Sequence, residues 1–227
     1  MKTKLVLFDI DGTLITSGGA GERSLRLAVK DHLGHDDDLK GIEIAGRTDT
    51  GIARRIFDRY GVAATPESVA AFFDRYLHHL PVELTRGKGF LLPGITGLLN
   101  ALKARPHVAV ALLTGNLSRG AEIKLAHYGI WEFFEFGAYA DDSPDRNQLG
   151  KYARARALEK HGVEFLPRDI FVIGDTPHDI DCGRAFGAKT VAIATGNFNR
   201  EQLASHNPDY LFNNLSNVNE VIAKLGL

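Results

Sequence analysis

Leu5 to Phe8 is an unbroken apolar run that stops at Asp9-Ile10-Asp11-Gly12. Such a run predicts a strand buried on both faces of a parallel sheet. From Glu22 to about Thr85 the rhythm becomes helical. Leu25, Leu27, Ala28 and Val29 mark one helix ending at Gly34, and Ile52, Ile56, Phe57 and Tyr60 a second ending at Gly61. Thr65-Pro66-Glu67 is a helix start, followed by the apolar face of Val69, Phe72, Phe73, Tyr76 and Leu77. No strand is evident in this stretch.

Beyond it, strands and helices alternate. Apolar strands are expected at Val108–Leu113, Ile170–Ile173 and Val191–Ala194, with shorter ones at Phe133–Phe136 and Tyr210–Phe212. Helices are expected from Gly94 to Lys103, Ser118 to Tyr128, about Gln148 to His161, Pro177 to Phe186, and Leu215 to Leu225. This alternation predicts an α/β fold: a Rossmann-like, doubly wound parallel sheet interrupted by an all-helical insert. The expected division is a core of residues 1–16 and 87–227 and a helical cap of residues 17–86. Gly18, Gly19 and Gly21 fit either a flexible joint or a phosphate-cradling loop, and the joint is favoured.

Composition narrows the function. The chain has 227 residues and a formal net charge of -1, so nothing supports a nucleic-acid surface or a polybasic membrane patch. Cys182 is the only cysteine, which excludes an intrachain disulfide. No stretch is long enough to span a bilayer, and a cytoplasmic protein, monomer or homodimer, is expected.

The chemistry-bearing residues follow the strands. Asp9 and Asp11, two apart on extended backbone, project the same way and need a neutralising cation; Mg²⁺ is the natural candidate. Val108–Leu113 runs into Thr114-Gly115-Asn116, and Ile170–Ile173 into Gly174-Asp175-Thr176-Pro177-His178-Asp179. In a parallel sheet all three ends share one edge, where ligands bind. A Thr hydroxyl and a free amide at a helix start suit phosphate oxygens.

Phe8-Asp9-Ile10-Asp11-Gly12-Thr13, Leu113-Thr114-Gly115-Asn116 and Gly174-Asp175-Thr176-Pro177-His178-Asp179 resemble the first, second and fourth motifs of the haloacid dehalogenase (HAD) superfamily, in particular its phosphoglycolate phosphatase-like and β-phosphoglucomutase-like group. The resemblance implies Asp9 as nucleophile, Asp11 as acid/base, and Thr114 with the Gly115 and Asn116 segment as phosphoryl-oxygen holders. It implies Mg²⁺ bound by Asp9, the Asp11 carbonyl and Asp175, with Asp179 as an accessory ligand. The third motif departs from the usual pattern, since no Lys-Pro pair occurs. Asp145-Arg146-Asn147 resembles a variant in which Arg takes the cation role, and Arg146 is preferred to Lys151, which is kept as a substrate contact.

Gly46-Arg47-Thr48-Asp49 joins two expected insert helices. Arg47 is a candidate for an anionic substrate tail, while Thr48 or Asp49 fits a plain helix N-cap equally well. The expected reaction is Mg²⁺-dependent hydrolysis of a small phosphorylated metabolite through an aspartyl-phosphate. A phosphomutase is the alternative, and a non-catalytic phosphoacceptor module the alternative of another class.

Overall fold

A computed structural model describes residues 1–227. The first apolar run forms β1 (Lys4–Phe8), and the chain then makes a two-residue strand, β2 (Ile15–Thr16). Three helices follow: α1 (Ala20–Leu33), α2 (Asp49–Arg59) and α3 (Pro66–Arg86). The chain returns through β3 (Phe90–Leu91), which pairs antiparallel with β2, Ile15 opposite Leu91. This small ribbon, absent from the sequence reading, is the double crossing between the helical unit and the sheet.

The remaining elements are α4 (Ile95–Lys103), β4 (Val108–Leu113), α5 (Ser118–His127), β5 (Gly137–Ala138), α6 (Leu149–His161), β6 (Ile170–Gly174), α7 (Pro177–Ala185), β7 (Lys189–Ile193), α8 (Arg200–Ala204), β8 (Tyr210–Phe212) and α9 (Val218–Leu225). Six strands form one parallel sheet in the order β5-β4-β1-β6-β7-β8. The Rossmann-like, doubly wound α/β reading is thereby met.

Alternation along β1 explains the layers. Val6 and Phe8 join the apolar cluster under α4, α5 and α9, while Leu5 and Leu7 join the one under α6 and α7. The strand is therefore apolar throughout because both faces are covered. The helical unit has its own apolar cluster, built from Leu25, Ile52, Ile56, Phe57, Phe72 and Tyr76 among others, to which Leu117 and Ala140 contribute from the sheet side.

One expected strand is displaced. Trp131–Phe133 is a short 3-10 turn, and the edge strand is Gly137–Ala138 instead. Phe133, Phe134 and Phe136 pack as partly buried side chains against the sheet's apolar clusters, so their hydrophobicity serves the core without strand pairing. Gly19 caps α1 with φ 81°, placing the glycine-rich stretch at the joint. No helix is long and apolar enough to cross a membrane.

Candidate functional site

Register brings the motifs together. Phe8 is level with Leu112 on one side and Ile173 on the other, so Asp9, the Thr114 turn and Asp175 emerge at one edge. The Asp9 amide continues the ladder by donating to the Ile173 carbonyl at 3.0 Å. Carboxylate oxygens of Asp9, Asp175 and Asp179 all lie within 4.8 Å of one another and are buried. Three oxygen donors this close suit a hard divalent cation.

Arg146 answers part of that charge. Its Nη2 lies 3.0 Å from Asp9 Oδ1 and also pairs with Asp179 Oδ1, while Nη1 donates to the Gly46 carbonyl of the helical unit at 2.9 Å. Its Nε is buried without an acceptor. Asp179 is held from the other side: its Oδ2 accepts from the Thr176 amide at 3.0 Å and the Thr176 hydroxyl at 2.7 Å, as the third residue of α7 reaching back to the N-cap, Thr176.

Burial dominates the titration of the pair at the edge. It raises the Asp9 carboxyl to about 6, even though Arg146 and the Thr114 hydroxyl pull it down. Burial, with Asp179 and Asp9 nearby, pushes Asp175 well above the usual carboxylate range. Asp175 is fixed sterically by two glycines. A Cβ on Gly12 (φ +83°) would fall 2.3 Å from its Oδ2, and one on Gly196 only 1.8 Å away. Thr13 Oγ1 also donates to Asp175 Oδ1 at 3.0 Å.

Asp11 meets Lys124, a residue that no motif marks. Lys124 Nζ lies 2.5 Å from Asp11 Oδ2 and donates to Asn116 Oδ1 at 2.6 Å. Asn116 Nδ2 donates to Asp11 Oδ2 at 3.0 Å and to Thr114 Oγ1 at 2.9 Å. Burial works upward on Asp11, but the Lys124 charge and these hydrogen bonds outweigh it and hold the carboxyl below its usual value. The visible signal for Lys124 was its position: with Ala121 and Leu125 it stands on the buried stripe of α5.

The helical unit closes the site through its second helix. Thr48 caps α2, its Oγ1 accepting from the Gly51 amide at 3.1 Å and donating to the Pro144 carbonyl at 2.7 Å. Asp49 Oδ2 accepts from the Leu117 amide at 2.9 Å, and the Asp49 amide donates to the Gly115 carbonyl at 2.7 Å. Burial lifts the Asp49 carboxyl to about 6. Gly115 must be glycine, since a Cβ would meet the Arg47 carbonyl oxygen at 2.1 Å.

The result is a cavity of about 380 Å³ between sheet edge and helices. Asp9, Asp11, Gly115, Asn116, Arg146 and Asp175 line it together with Arg47. The Arg47 guanidinium is turned to Glu43, at 2.6 Å, rather than to the sheet edge that carries Asp9. Glu43 in turn contacts His178 Nε2 at 3.1 Å. Lys151 is not brought in: it is exposed, with Nζ on Gln148 Oε1 at 3.2 Å, because its position in the first turn of α6 faces outward. Thr195, Gly196 and Asn197, after β7, also line the cavity and carried no signal beyond ordinary turn chemistry.

Comparison with known proteins agrees with this geometry. Residues 6–184 match the family model of haloacid dehalogenase-like hydrolases. A phosphoglycolate phosphatase of Vibrio vulnificus is 24% identical over 235 residues, with 96% of each chain covered. A phosphoglycolate phosphatase of Rhodospirillum rubrum is 27% identical over 207 residues, covering 89% of this chain and 83% of that one. The CbbY structure from Rhodobacter sphaeroides, solved with phosphate, superposes with a TM-score of 0.75 at 21% identity, over 99% of this chain and 100% of that chain. With the family model spanning more than half of its length, the chain belongs to the haloacid dehalogenase-like hydrolases.

Proposed function

We propose that the protein is a phosphatase acting on a small phosphomonoester, with the sheet as catalytic core (1–16 and 87–227) and the helical unit as cap (17–86). The observation that carries this reading is Arg146 bridging Asp9 and Asp179 beside Asp175, in the cavity between sheet edge and helices. The phosphatase names of the relatives point the same way.

In this reading an Asp9 carboxylate oxygen attacks phosphorus and the bond to the leaving oxygen breaks. The leaving alkoxide takes a proton from Asp11. Asp11 rests ionised beside Lys124, so the proton arrives with an ester bound as its monoanion, whose second pKa is about 6. Asp11 then removes a proton from water, which attacks the phosphorus, frees Asp9 and releases inorganic phosphate. The unspent Nε–H of Arg146 and the amide of Gly115 suit phosphoryl oxygens, the Thr114, Asn116 and Leu117 amides being engaged within the protein.

The donor set fits Mg²⁺: oxygen ligands only, from buried carboxylates within 4.8 Å of one another. Asp9, Asp175 and the Asp11 carbonyl would hold it, and it would supply charge neutralisation at the phosphoryl group. Asp179, engaged by Arg146 and Thr176, positions Arg146 more directly than it serves as a ligand.

The test is phosphate release from an aryl phosphate with and without Mg²⁺. The wild type is expected to turn over only with the cation, and Asp9→Asn to lose at least roughly 1,000-fold in rate. Undiminished turnover by Asp9→Asn rules out the aspartyl-phosphate, and phosphoryl transfer to a sugar without phosphate release favours the mutase reading.

A further inference from the structure

Two hydrogen-bond donors in the cavity are unspent, and they face the same small space. An ammonium group has three N–H donors. Lys124, whose side chain is 5% exposed, uses one on Asp11 and one on Asn116. Tyr76, on α3, is 1% exposed and lines the cavity, and its hydroxyl makes no hydrogen bond within the protein. Burial, with Asp49 and Asp11 nearby, drives its ionisation well above the ordinary tyrosine value, so it stays a donor.

Gly21 marks where these donors converge. A Cβ at Gly21 would lie 3.5 Å from Lys124 Nζ and 4.0 Å from Tyr76 Oη. Its absence leaves room for one ligand atom between the two groups. Buried donors without acceptors are costly, which is why a site built to be satisfied by a substrate oxygen discriminates strongly against substrates lacking it.

Charge selects the kind of oxygen. Lys124 is already matched by Asp11, and Asp49 and Glu22 line the same cavity. The cation that the helical unit brings to the cavity, Arg47, is committed to Glu43. A second anionic group here would meet a surplus of carboxylates, whereas a neutral hydroxyl accepts from Lys124 and Tyr76 without that repulsion.

We propose that Lys124 and Tyr76, over the gap at Gly21, form a hydroxyl-binding subsite for the leaving group, which selects phosphomonoesters of polyols or sugars over simple alkyl and carboxylate-bearing esters. The proposal rests on the phosphatase reading above.

The experiment compares kcat/KM for glycerol 1-phosphate, ethyl phosphate and phosphoglycolate, with Mg²⁺ present, in the wild type, Gly21→Ala and Tyr76→Phe. The added methyl of Gly21→Ala makes ordinary contacts and occupies the gap, and alanine is well tolerated within a helix. The wild type is expected to prefer glycerol 1-phosphate over each of the other esters by about tenfold or more, as one hydrogen bond to a charged donor allows. Both variants should reduce that preference to below about threefold, with unfolding curves confirming that they are folded. A wild type that turns over ethyl phosphate equally well, or prefers phosphoglycolate, overturns the subsite while leaving the phosphatase reading intact. A preference that survives in both variants does the same. No turnover of any ester overturns the phosphatase reading and the subsite together.

Discussion

Nη2 of Arg146 lies 3.0 Å from Oδ1 of Asp9, with the two side chains 8% and 7% exposed. A buried ion pair gives its members little when intact but costs much when one partner is removed. Arg146→Ala leaves Asp9, Asp175 and Asp179 facing one another without a protein cation. It is expected to lower kcat/KM by roughly 100–1,000-fold and unfolding free energy by about 3–5 kcal/mol, read from steady-state kinetics and urea unfolding. Arg146→Lys should recover little, since one ammonium cannot reproduce the fork that reaches Asp9, Asp179 and the Gly46 carbonyl.

Lys151→Ala provides the contrast. Its ammonium rests on exposed Gln148 and lies outside the cavity. Its removal should change stability by no more than about 0.5 kcal/mol and leave kcat/KM within about twofold. A large loss of activity in this variant, with Arg146→Ala active, would reverse the assignment of the third-motif cation.

Most of this arrangement was legible in the sequence, and the exceptions have a common cause. Asp9, Thr114 and Asp175 stand directly after apolar runs, so strand register alone places them. Arg146 and Lys151 are five residues apart with no strand between them, and only the path of the 3-10 turn at Arg146–Gln148 decides which one points inward. Lys124, Tyr76 and Asp49 were hidden because each also fits an ordinary helical role: a charged helix position, an apolar-face aromatic, a cap. Their convergence depends on how α2 and α3 seat against α5, a tertiary fact that local periodicity does not encode. The β2–β3 ribbon was likewise too short to produce a pattern.

Asp49 predicts a pH effect on stability. Burial raises its folded carboxyl to about 6, above the ordinary value of 3.8. Below about pH 3 it is protonated in both folded and unfolded chains. Between about pH 4 and pH 6 the unfolded chain is ionised while the folded one is not, so stability is lost across that window and is constant above it. Asp49→Asn can still accept from the Leu117 amide but carries no charge. It is expected to be more stable than wild type at pH 7.5 by roughly 2–3 kcal/mol, with the difference vanishing near about pH 3, measured by urea unfolding at both pH values.

Mg²⁺ should stabilise the protein through the same carboxylates that it neutralises. A ligand at 100 times its Kd contributes about 2.7 kcal/mol, which for a chain of this size is a rise in Tm of about 5–10 °C. Asp175→Asn should abolish the rise. Gly196→Ala should also weaken it, because its Cβ would sit 1.8 Å from Asp175 Oδ2 and force the carboxylate aside. A thermal melt titrated with Mg²⁺ reads both without reference to turnover, and an unchanged Mg²⁺ dependence in Asp175→Asn would place the cation elsewhere.

The central place of β1 in the sheet has a consequence for how the molecule is made. Its neighbours are far along the chain: Lys4 pairs with Val108 and Leu5 with Ile170. The three helices between them pack largely on one another through nearby sequence, with α1 against α3. During synthesis those helices can therefore assemble while the strand bearing Asp9 still lacks both partners, since long-range parallel pairing is slow and awaits the later strands. A chain halted before Gly174 would carry the formed helical unit over Asp9 with no second wall beside it. The candidate site is thus among the last parts of the protein to come together, and incomplete chains cannot carry out its chemistry.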